Sequence, residues 1–173
     1  GVDERVLLAR VYLDMIEALE APAQREEYAD KVVQLGTEIQ RDQPERVEGP
    51  YFQALGMARR LDASRELSGI KSMMAMAQAA VNIEPAYDNA GALSLMGKIY
   101  LEAPPWPASV GDEDEAVEML TRAVSLAPTP LNRLFLGEAL YHAEQPDAAK
   151  KELRLAYQEG TSTGMPARWL KEC

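Results

Sequence analysis

The chain predicts an all-α fold of about four helical hairpins, at 4–43, 50–85, 89–128 and 130–160, with a capping tail at 161–173. Three observations carry this. Small and apolar residues recur at helical spacing, and Pro or Gly punctuates each stretch. Gly56, Gly97 and Gly137 repeat at a period of about 40 residues. Aromatic content is only 6%, while Ala, Leu, Met, Glu and Gln are plentiful, a mix that favours helix over a sandwich or barrel. At 173 residues the chain suits one domain or two tightly joined halves, and it can bury roughly 70% of its unfolded surface without a staple.

The elements follow in order. Asp3 is expected to cap a first helix from Glu4 to about Leu19, with Val6, Ala9, Val11-Tyr12 and Ile16 at helical spacing. Ala21-Pro22-Ala23 breaks it. A second helix runs from about Gln24 to Gln40 with Ala29, Val33 and Gly36 on one face, and Pro44 follows its exit. Pro50 suits the first turn of the third helix, whose face is Phe52, Leu55, Gly56 and Ala58. A long polar connection, Leu61 to about Ser68, leads to a Met-rich helix, about Gly69 to Ile83, closed by Pro85.

Asp88 or Asn89 is expected to cap the next helix, which ends Gly97-Lys98-Ile99-Tyr100. Gly97 lets a partner helix come close, and Tyr100, near one turn on, fills the gap. A Pro-rich loop, Ala103 to Pro107, precedes the helix Glu113 to Leu126. Asp112 caps it, and Ala116 and Ala123 mark a close approach. Thr129-Pro130 opens the seventh helix, with Leu134, Gly137, Leu140 and Tyr141 as its packing face. Glu144 to Asp147 is a turn, and Ala149, Leu153 and Ala156 continue to a stop at Gly160. Trp169 is expected to cover the exposed face of the last hairpin.

Charge and motif content exclude several functions. A net charge of -10 repels phosphate backbones, so no nucleic-acid partner is expected. The single histidine, His142, and single cysteine, Cys173, rule out a His/Cys zinc cluster and an intrachain disulfide. Phosphate-loop, dinucleotide and nucleophile-elbow motifs are absent, and the acidic run Asp112 to Glu115 reads as helix capping. The expectation is a protein that is not an enzyme and has no cofactor or metal. No apolar run approaches the ~18 residues of a membrane-spanning helix. The chain begins at Gly1 rather than Met, which fits a removed leader or lipid anchor.

The order of motifs resembles the tetratricopeptide-repeat (TPR) family. It runs Leu67 to Ser72, Ile83-Glu84-Pro85-Ala86-Tyr87, Gly91-Ala92-Leu93, Met96 to Tyr100, Pro104-Pro105-Trp106-Pro107, Gly111-Asp112 and Asn132 to Glu138. Within that family the series is similar to bacterial TPR proteins related to the T-component of TRAP-type transporters, and to eukaryotic regulator-of-microtubule-dynamics domains. The transporter resemblance implies an envelope lipoprotein with an internal apolar channel and a periplasmic solute-binding partner. The eukaryotic one implies scaffolding and lipid handling. The bacterial resemblance implies a place in a bacterial cell envelope or periplasm, with a lipid anchor through a removed N-terminus, and the cytoplasm is the alternative.

Two functions follow as expectations. The first is an adaptor or scaffold that binds a protein in a groove, through Arg59, Arg60, Tyr100, Asn132 and Arg133 on predicted first helices. The second is a carrier or channel for a small hydrophobic ligand or lipid, resting on Met73, Met74, Met76 and Trp106. The Met face is either core or an adaptable ligand surface. Trp106 is either an anchor tucked into the core or a lid or partner contact. Self-association into a homo-oligomer is left open.

Overall fold

Helix follows helix in the computed structural model, which describes residues 1–64, 69–165 and 167–171. Nine helical segments appear among the described residues: α1 Val2–Ala18, α2 Pro22–Asp42, α3 Glu48–Ser64, α4 Ile70–Ile83, α5 Tyr87–Glu102, α6 Glu113–Leu126, α7 Pro130–His142, α8 Pro146–Thr163 and the single turn α9 Ala167–Leu170. No strand occurs among them, so the all-α class holds. The chain forms two compact units, Gly1–Glu84 and Pro85–Cys173.

In the first unit α1 packs on α2, α2 on α3 and α3 on α4, and α1 also touches α3. Its core holds Ile16, Val32, Ile39, Phe52 and Met73, all essentially inaccessible to water. Full burial of a side chain such as Phe52 is worth roughly 1.5–3 kcal/mol. The tightest seam lies between α2 and α3, where backbone meets backbone. A Cβ on Gly36 would lie 2.7 Å from the Gln53 amide nitrogen and 2.8 Å from the Gly49 carbonyl oxygen. A Cβ on Gly56 would lie 2.7 Å from a Val33 methyl and 2.9 Å from the Ala29 carbonyl. The small face expected on α2 is therefore real, but it serves the following helix.

Ion pairs clamp the edges of this unit. Arg5 on α1 reaches Asp42 at 2.6 Å and Glu38 at 3.1 Å on α2. Arg46 joins Asp3 at 2.7 Å to Glu48 at 2.6 Å. Asp3 thus lies inside the first turn of α1 and pairs with Arg46, not outside the helix as a cap; the helix begins at Val2, two residues before the expected Glu4. Helix α3 also runs to Ser64, past the connection expected from Leu61. The rest of that connection, 65–68, lies outside the described residues, as does Cys173.

In the second unit α5 packs on α6, α6 on α7 and α7 on α8, with α5 also touching α7. Its core includes Ala116, Leu120, Leu136, Ala139, Leu140 and Ala149, with Tyr100 and Phe135 packed against them. Here each expected glycine receives a leucine: Gly97 faces Leu120, and Gly137 faces Leu153. Caps appear where the sequence places them. The Asp112 carboxylate accepts from the Asp114 and Glu115 amides, both at 3.1 Å, and the Thr129 hydroxyl accepts from the Asn132 amide at 3.2 Å.

Three expectations change in this unit. No carboxylate caps α5; Asp88, Asn89 and Ala90 instead form a left-handed turn with φ of 49°, 59° and 58°. Helix α8 does not stop at Gly160, which is buried against Met165 and Leu170; it ends at Gly164, whose φ of 75° suits glycine. Tyr141, expected in the packing face of α7, is 68% exposed. Trp169 does cover the end of the unit, edge-on to Phe135 at 5.8 Å between ring centroids.

Candidate partner-binding surface

The loop between α5 and α6 is closed at its base by backbone hydrogen bonds. The Gly111 amide donates to the Pro104 carbonyl and the Asp112 amide to the Tyr100 carbonyl, each at 2.9 Å. Within the loop, the Ala108 amide donates to the Pro105 carbonyl at 3.0 Å. The two loop arms come so close that a Cβ on Gly111 would sit 2.0 Å from the Ala103 carbonyl oxygen. Only glycine fits there. Four prolyl and glycyl positions thus hold a short, braced loop, and Trp106 stands on it with 84% of its surface in water. The anchor reading of Trp106 fails on this observation: the indole is not in the core.

Carboxylates surround the base of the loop. Asp112, Glu113 and Asp114 open α6 there, exposed to solvent. Tyr100, half-buried beneath, has its hydroxyl pushed up first by burial and then by Glu115, Asp112 and Glu118. The corner therefore presents an indole beside negative potential, which suits an apolar pocket rimmed by cations.

The other predicted contacts are engaged within the chain. In the first unit Arg59 pairs with Glu17 at 2.9 Å, Arg60 lies 3.4 Å from Asp30, and Met73 is 1% exposed in the core. In the second, Arg133 joins Glu152 at 2.8 Å and Glu159 at 3.2 Å on α8. Asn132 is 4% exposed with its amide fully committed. It accepts from the Ser94 hydroxyl at 2.6 Å and donates to the carbonyls of Asn89 at 2.9 Å and Ala127 at 2.8 Å. This node holds the left-handed turn against α7. Of the seven candidates, Trp106 stands exposed on this loop and Tyr100 lies part-buried at its base.

Sequence reasoning missed a second surface. An open groove of about 430 Å³ is lined by Tyr141 and Pro146 with Ala149, Lys150, Leu153, Arg154 and Tyr157 of α8. Its signal was readable as Tyr157 and Arg154 beside Lys150 on one stripe of α8, but that stripe looks like any solvated helix face.

Among the described residues no cluster of His, Cys, Asp or Glu is arranged to hold a metal ion, and no helix is long and apolar enough to cross a membrane. No protein-family model matches the chain, and no curated protein matches it in sequence.

Proposed function

We propose that this chain is a non-enzymatic helical-repeat adaptor of TPR type, and that it grips a protein partner through Trp106. The single observation that carries the binding site is the 84% exposure of Trp106 on a loop braced by Gly111 and the three backbone hydrogen bonds described above. A free indole costs apolar exposure, and a rigid one loses little entropy when bound. Its acidic flank favours a partner whose apolar pocket is rimmed by Lys or Arg. The repeat reading is supported by the α1–α3 and α5–α7 contacts, which place each odd helix against the next odd one within both units.

The bacterial-envelope setting and the relation to transporter T-components rest on the resemblance of Met96 to Tyr100, Pro104 to Pro107 and Asn132 to Glu138. The carrier reading loses one support, because Met73 is packed in the core. Affinity capture with wild type and Trp106→Ala side by side tests the adaptor. A protein recovered with wild type and reduced at least tenfold with the variant is expected. Equal recovery of every captured protein would overturn the role of Trp106.

A further inference from the structure

We infer that the groove between α7 and α8 is a second docking site, and that its occupant is an acidic amphipathic helix of a partner protein. The groove lies wholly within the second unit and follows one stripe of α8. Pro146, Ala149, Lys150, Leu153, Arg154 and Tyr157 recur along it at helical spacing, and Tyr141 of α7 joins them. Ala149 is buried and Leu153 part-buried, so they form the floor. Tyr141 and Tyr157, 68% and 52% exposed, are the walls. From Pro146 to Tyr157 the helix advances about 16 Å, room for roughly three turns of a second helix.

Charge commits the groove to one class of occupant. No carboxylate lines it. Glu152 and Glu159 are held by Arg133, and Glu144 and Asp147, near the start of α8, lie outside the lining. Lys150 and Arg154 are exposed at the groove, one turn apart, and neither makes an ion pair or hydrogen bond among the described residues. The result is a positive strip on a chain of net charge -10. A nucleic acid or an anionic membrane would feel the repulsion of the whole chain, whereas a short acidic segment meets mainly the strip. The occupant must also satisfy its own backbone, because the groove offers side chains and no sheet edge. A helix does so, and its one-turn repeat places leucine-like side chains on Ala149 and Leu153 and carboxylates at Lys150 and Arg154. Trp106 takes no part, so the two surfaces fail separately.

The probe is a synthetic peptide of about fourteen residues, capped at both ends, with leucines at helical spacing and glutamates between them. Its twin carries lysine at every glutamate position. Fluorescence anisotropy with the full chain should show the acidic peptide binding, more weakly as salt rises from ~50 to ~500 mM. The lysine twin should bind at least tenfold more weakly. Lys150→Glu with Arg154→Glu in one chain, and Tyr157→Ala in another, should each weaken the acidic peptide at least tenfold, about 1.4 kcal/mol, with circular dichroism unchanged. Amide chemical-shift changes on binding should centre on residues 141–157. Failure of the acidic peptide to bind overturns the inference. So does equal binding of the twin, full binding by either variant, or shifts centred on residues 103–112. Vesicles of phosphatidylserine and phosphatidylcholine are the last arm: should they bind wild type and be lost with the same variants, the groove is a lipid surface and the inference falls.

Discussion

The two units use the same small residues for different contacts. In the second, Gly97 and Gly137 each admit a leucine from the next helix, so a flexible side chain meets the bare Cα. In the first, Gly36, Gly49 and Gly56 line the α2–α3 seam, where the nearest atoms include backbone nitrogen and oxygen. The first unit then closes its edges with Arg5 and Arg46 ion pairs, while the second spends a buried amide, Asn132, on the same task. A glycine in a helix therefore announces a close neighbour without naming it. What lies opposite decides how much an added methyl costs.

The largest effect should come from Gly36→Ala. Its Cβ would meet backbone on α3, which cannot yield without separating the helices, so a loss of about 3 kcal/mol is expected in chemical denaturation, despite alanine's better helix propensity. Gly137→Ala meets the Leu153 side chain first, at Cγ and Cδ2 2.6 Å away, with the Leu153 amide nitrogen farther off at 3.3 Å, and should cost less, about 1–2 kcal/mol. Equal losses at the two sites would erase the contrast between the units. Next comes Asn132→Ala. It strands the Asn89 and Ala127 carbonyls and the Ser94 hydroxyl, and roughly 2–3 kcal/mol should go, with faster hydrogen exchange at residues 87–94.

A pH titration separates the units more gently. The Arg46 guanidinium holds the Glu48 carboxyl below its ordinary 4.5, against the opposing effect of burial. A lowered folded value means the stabilisation is complete above about pH 4.5 and is lost as the pH falls through the folded value. Lys98 is the counterpart. Burial lowers it, but Glu102 and Glu138 together outweigh burial and raise it above 10.5, so while those carboxylates are ionised its contribution is present below that pH and fades as the pH rises through the folded value. Acid should thus loosen exchange near Arg46 first, and Glu48→Gln should flatten that acid dependence. The smallest effect on stability belongs to Trp106→Ala, within about 0.5 kcal/mol, since the side chain is almost wholly in water. A larger loss in thermal melting would mean the indole supports the fold.

Much of the helix order was legible because its signals are local. Asp112, Thr129, Pro50 and Pro130 mark helix starts through hydrogen bonds or ring geometry that involve only the next few residues. The turn at 88–90 was not legible: nothing in Asp-Asn-Ala demands three left-handed residues, and the Asn132 amide that holds them is more than forty positions away from Asn89. For the candidate site, the Pro-Trp-Pro loop was visible in the sequence, but its outward presentation of Trp106 was not. The three candidate arginines were readable as cations on helices, and their carboxylate partners were not. The groove at Tyr141 and Tyr157 escaped notice because it takes α7 and α8 together to form it.

By itself, then, the amino-acid order determined the all-α class, most helix ends and the places where backbones must come close, since capping, proline geometry and 3.6-residue periodicity act within a turn or two. Tertiary packing alone decided which helix each glycine faces, which arginines are consumed by neighbours, and which aromatic rings reach water. Those outcomes depend on atoms that are distant along the chain and adjacent only after folding.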